Sequence, residues 1–157
     1  MGKIKIPVVY AKLDEFLKRS EAEQYITALV TSLFDARANS VPVIKDLILT
    51  QGTETISAFN LNVGATYNVF MTLSEDGTIL RGDECLFGDF NSVGMLNEGS
   101  KKTGIYFEGY NLKGHQYRVE IYNYGADLKI NTLLYTNAYG WVNHNTAGDI
   151  VSIYKVV

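Results

Sequence analysis

The stretch FNLNVGATYNVFMTLSEDGTIL, residues 59–80, decides the fold. Phe59, Leu61 and Val63 alternate with asparagines, Tyr67, Val69, Met71 and Leu73 recur at every second position, and a period of two puts each set on one face of a strand. Gly64-Ala65 reads as the turn that joins the two runs into a hairpin. Glu75-Asp76-Gly77 then carries an Asp-Gly turn signal ahead of Thr78 to Leu80, which predicts a third strand paired with the second.

The same period runs from Val41 to the C-terminus. Short apolar runs are punctuated by Gly, Asn and Asp at the spacing of an antiparallel domain. Ile105 to Tyr110 and Tyr117, Val119 and Ile121 read as a hairpin turned at Asn111 to Gly114, with Gln116, Arg118 and Glu120 on the opposite face. Leu128 to Tyr135, Gly140 to Val142 and Ile150 to Val157 bring the total to seven or eight strands, the last tied into a sheet. Residues 88–104 hold four glycines and little periodicity, and read as a long exposed loop. The fold class is mainly β with one N-terminal helix: an antiparallel β-sandwich or jelly roll preceded by an extended arm and an α-helix.

Residues 1–40 differ from this pattern. Ile4, Ile6 and Val8 recur at period two around Pro7, as in an arm able to lie along a sheet edge. Asp14 can cap a helix whose apolar positions include Phe16, Tyr25, Leu29, Leu33 and Phe34, ending near Asn39 before Pro42. The expected organisation is therefore an anchoring and oligomerising segment, 1–40, and a β domain, 41–157.

Composition narrows the function classes. In 157 residues, 14 Lys and Arg face 17 Asp and Glu, a net charge of −3, and no concentrated basic surface offers itself to nucleic acid. No run approaches the length that crosses a bilayer, and the first residues alternate charge with aliphatics where a signal peptide has an apolar core. The single cysteine, Cys85, forbids an intrachain disulfide and fits assembly in a reducing cytosol.

No metal, cofactor or catalytic set is expected. His115, His144 and Cys85 show no ligand spacing, both histidines reading as solvated turn residues, and no nucleophile elbow or phosphate loop is present. Asp83, Glu84 and Asp89 form an acidic cluster that a small hydrolase could use, but Asp76-Gly77 and Gly82-Asp83 read as turn chemistry. Arg81-Gly82-Asp83 spells an adhesive tripeptide that also arises by chance.

The aromatic distribution says more. Eight of the eleven tyrosines lie beyond residue 100, and Tyr122 and Tyr124 fall opposite the inward row of their strand. Tyrosine suits interfaces because a large rigid ring carries a hydrogen-bonding tip. The expected assembly interface comprises Ile4, Ile6, Val8, Phe16, Tyr25, Leu29, Tyr122 and Tyr124. The alternative is a carbohydrate-binding module or lectin whose sugar platform is Tyr139, Trp141, Asn143 and Asn145.

The arm from Lys3 to Val9, the apolar stripe from Phe16 to Phe34 and the strands from Val41 to Val157 together resemble the small structural proteins of tailed bacteriophage virions, especially capsid auxiliary, decoration and head-fibre proteins. The resemblance implies a non-enzymatic virion component assembled in the host cytoplasm, with its own copies and other subunits as partners. A homo-oligomer is expected, trimerisation through the helix being one simple outcome. It carries over no site residue.

Overall fold

The computed structural model describes Glu23, Gln24 and residues 39–157. The predicted arm and helix, with Ile4, Ile6, Val8, Phe16, Tyr25 and Leu29, lie outside the described residues, apart from the helical Glu23 and Gln24. The chain divides into two compact units, Met1–Ala38 and Asn39–Val157.

The second unit is antiparallel β throughout. Its strands are β1 (Ser40–Ile48), β2 (Thr53–Ile56), β3 (Thr66–Thr72), β4 (Ile79–Leu86), β5 (Gly88–Asn91), β6 (Lys101–Tyr110), β7 (Gln116–Tyr124), β8 (Asp127–Thr136), β9 (Gly140–Asn143) and β10 (Ile150–Val156). One sheet has the order β1-β10-β3-β4, and a six-stranded sheet has the order β2-β8-β7-β6-β5 with β9 also paired to β8. The C-terminal strand lies inside the first sheet, between β1 and β3.

The two sheets share one core, in a sandwich-like arrangement. Val69 and Met71 of β3, Leu80 of β4 and Val151 and Ile153 of β10 join Ile105 and Phe107 of β6, Val119 and Ile121 of β7, and Leu128 and Ile130 of β8 in a single buried cluster. Burying each such side chain contributes about 1.5–3 kcal/mol. Gly82 of β4 faces Phe107, and a Cβ there would stand 2.6 Å from the ring, so glycine lets the two sheets approach at this point.

The turn from β3 to β4 forms as its Asp-Gly signal requires. Gly77 has a φ of 75°, its N–H donates to the Leu73 carbonyl at 2.9 Å, and Thr78 N–H donates to Asp76 Oδ1 at 2.9 Å. The hairpin expected on the other side of β3 does not form. Residues 59–63 are irregular, and β3 pairs instead with β10. Side chains satisfy their backbone: Leu61 N–H donates to Asn123 Oδ1 while Asn123 Nδ2 donates back to the Leu61 carbonyl, both at 3.0 Å. Leu61 is buried and Phe59 half-buried, but Val63 is 68% exposed, which breaks the predicted inward row.

The predicted loop over residues 88–104 is also corrected. Gly88 pairs with Gly104 and Asn91 with Lys101, so the segment opens and closes as strands around a compact connection over residues 92–100. Glycine at 104 is required by close approach, because a Cβ there would collide with the Ile121 carbonyl of β7.

Candidate functional site

The outer face of the six-stranded sheet carries a connected set of charged and aromatic side chains. Register puts Tyr106 opposite Glu120, Glu108 opposite Arg118, and Arg118 opposite Leu133, all on the face away from the core. Arg118 is nevertheless only 6% exposed and Glu120 1%. The Arg118 guanidinium pairs with Glu120 at 3.1 Å and Glu108 at 3.5 Å, donates to the Asn91 carbonyl at 2.8 Å, and lies 3.9 Å from the Tyr106 ring centroid.

This network holds the connection 92–100 against the sheet. Val93 N–H donates to Glu120 Oε2 at 3.0 Å, and a Cβ on Gly94 would stand 3.0 Å from Leu133. Ser92 Oγ donates to the Ser100 carbonyl at 3.0 Å and also to the Asn97 carbonyl, and Ser92 N–H donates to the Ser100 carbonyl at 2.8 Å. Burial pushes the Glu120 carboxyl above the ordinary carboxylate range, against the Val93 N–H and the Arg118 charge, which pull it down.

Beside this connection lies a cleft of about 260 Å³ lined by Gly94, Met95 and Glu98 on one wall and Tyr135, Tyr139, Gly140 and Trp141 on the other. Trp141 and Tyr135 are cross-strand partners of β9 and β8, their ring centroids 5.4 Å apart and their planes at 71°. Tyr139 is 77% exposed at the hairpin tip, where its N–H donates to Thr136 Oγ1 at 3.1 Å and Gly140 takes a φ of 67°. Of the expected sugar platform, Tyr139 and Trp141 therefore share a cleft, while the exposed Asn143 and Asn145 are not among its lining residues. A second concavity, about 350 Å³, runs past Cys85, Asp89, Phe90, Gly104 and Tyr106.

The remaining tyrosines divide by burial. Tyr122 is buried under Lys102, whose ammonium stands 4.9 Å from its ring centroid, so this ring is withdrawn from the surface on which the sequence placed it. Tyr124 is exposed, with Lys129 3.9 Å from its centroid.

The acids Asp83, Glu84 and Asp89 do not act as one set. Asp83 pairs with Arg81 at 2.5 Å, Asp89 pairs with Lys101 at 3.0 Å and accepts from Thr103, and Glu84 sits on the irregularity of β4 with a φ of 46°. The Lys101 and Thr103 hydrogen bonds hold the Asp89 carboxyl below the usual range. The same pairing shows the Arg81-Gly82-Asp83 tripeptide as strand, its two charges bound to each other. Burial, then the Asp83 charge, pushes the Cys85 thiol up to about 11, which keeps it protonated at neutral pH. Among the described residues no three His, Cys, Asp or Glu side chains are placed to hold a metal ion, and no helix is long and apolar enough to cross a membrane.

His144 departs from its expected place in a solvated turn. It is half-buried, its Nε2 is 3.5 Å from Asp149 Oδ2, and its ring meets Tyr117 edge to face at 5.1 Å. Asp149, which sequence reasoning did not single out, is buried and accepts from Ser74 N–H at 2.8 Å, tying the β3–β4 turn to the start of β10. Gly148-Asp149 looks like any other turn in one dimension, so no local signal marks it.

Comparison with known proteins finds no matching family model, no matching curated protein and no matching solved structure.

Proposed function

We propose that the chain is a non-enzymatic structural protein of an oligomeric assembly, of the kind that serves as an auxiliary, decoration or fibre subunit in a tailed-phage virion. In this reading residues 1–40 anchor the subunit, and the outer face of the six-stranded sheet makes lateral contacts with other copies or neighbouring subunits. One observation carries it. Tyr106, Tyr110 and Tyr124 share that face by register and are each between 47% and 64% exposed.

A sheet face bearing three half-exposed rings offers apolar area with hydroxyls at its rim, the composition that distinguishes interface centres from ordinary surface. Localisation to the virion, with assembly in the host cytoplasm, follows from the same reading. A sugar-binding module has narrower support, since two of its four expected contacts lie off the cleft.

Sedimentation of the full chain tests the proposal. The expected result is a homo-oligomer, a trimer being the simplest, that Tyr110→Ala combined with Tyr124→Ala shifts toward monomer with an unchanged circular dichroism spectrum. An oligomer indifferent to both substitutions would remove the outer face from the contact.

A further inference from the structure

The cleft beside residues 92–100 has a lining with a definite electrical character. Glu98 is its one acidic side chain; the others are Gly94, Met95, Tyr135, Tyr139, Gly140 and Trp141. No lysine, arginine or histidine lines it, and among the described residues no cation pairs with Glu98. An anion entering the cleft would meet a carboxylate and the negative faces of aromatic rings. A compact cation with an apolar surface would be drawn by both.

Ring geometry distinguishes this ligand from a sugar. Tyr135 and Trp141 stand at 71° to each other, so they cannot lie against one flat pyranose face together; they make two sides of a corner. A corner suits a roughly spherical group. The volume, about 260 Å³, falls below the range of about 300–1,000 Å³ typical of drug-sized ligands, and fits a small head group.

Both walls are built before any ligand arrives. The Met95 and Glu98 wall is fastened by the Ser92 bonds and by Val93 N–H on the buried Glu120, and the aromatic wall by the β8–β9 pairing and the Thr136 contacts to Tyr139 and Gly140. Little ordering entropy is then lost on binding.

We propose that this cleft is a binding site for a quaternary ammonium group, as in choline, with Tyr135, Tyr139 and Trp141 supplying the cation–π surface and Glu98 the counter-charge. The inference goes beyond the assembly reading and fails separately from it, since its readout is ligand binding and not mass.

Trp141 is the only tryptophan of the chain, so its emission reports on the cleft alone. The full-length protein is titrated with tetramethylammonium and with choline against a sodium chloride control, then with 3,3-dimethylbutan-1-ol, the uncharged carbon isostere of choline, and with a panel of neutral monosaccharides. A saturable change with both cations is expected, with the isostere at least tenfold weaker. Glu98→Gln should weaken choline several-fold and flatten its salt dependence, and Tyr139→Ala should weaken it about two- to fivefold, the equivalent of one exposed cation–π contact. Both side chains are exposed, so both variants should keep the wild-type melting temperature, and the cation titrations can be repeated with Tyr139→Phe, which retains the ring. An isostere that binds as tightly as choline, a response to sugars with silence toward cations, or no saturable response at all would each overturn the proposal.

Discussion

Glu120 shows how much a single side chain on an outward position can do. A strand reading assigns it to solvent, yet it is buried, joins Arg118 and receives the Val93 N–H. Its carboxyl is raised by burial, so between the ordinary carboxyl value and the raised one the native state holds a proton that the unfolded chain has released. Stability contributed at this site therefore falls as pH rises through that window. Urea unfolding of wild type and Glu120→Gln across mildly acidic pH should show the wild type losing ground to the variant as pH increases, then a constant difference above the window. A difference independent of pH would mean that Glu120 titrates as it does in the unfolded chain. Glu120→Ala should cost on the order of 3 kcal/mol at neutral pH, because it removes the nearer of the two carboxylates that compensate the buried Arg118 charge and leaves the Val93 amide without its acceptor.

At the scale of elements, the β5–β6 connection is held by bonds that can be removed singly. Ser92 Oγ donates to the Asn97 and Ser100 carbonyls, and Gly99 N–H returns to the Ser92 carbonyl at 2.9 Å. Ser92→Ala should destabilise the protein by about 1–3 kcal/mol, and hydrogen exchange should show Gly99 and Ser100 losing protection ahead of the core strands. Uniform loss of protection would mean that the connection opens only with the whole domain. Gly104→Ala is the harsher change, since the collision is with backbone of β7 and neither strand can move without breaking its ladder. The sheet edges are blunted in the same local fashion: β1 carries Pro42, two register shifts and Asp46 at a φ of 51°, and β4 is interrupted near Glu84.

At the scale of the whole molecule, one core spans both sheets, so core truncation should be felt globally. Met71→Ala, which empties a fully buried position between the sheets, should cost about 2–5 kcal/mol, seen as one cooperative unfolding transition shifted to lower urea. Two separate losses of the β-sheet circular dichroism signal would show that the sheets unfold independently. The assembly reading makes a different demand. Deleting residues 2–12 should leave the β spectrum of the domain intact while reducing its incorporation into higher assemblies, measured by sedimentation; unchanged incorporation would deny the arm its anchoring part.

Period-two hydrophobicity and turn chemistry determined from sequence alone that this is an antiparallel β protein. They identified the inward rows of β3 and β7 and the Asp-Gly turn at Gly77, because each depends on residues close together in the chain. Long-range contacts set the rest. Residues 59–63 alternate like a strand but lose their ladder to Asn123, and β3 takes its second partner from the C-terminus, a choice set by long-range packing. Tyr122 and Glu120 face outward by period yet are buried, while Glu98 and Trp141, far apart in the chain, come to line one cleft. Alternation says which side of a strand a residue occupies; what covers that side depends on contacts between distant segments, and these exist only once the sheets have assembled.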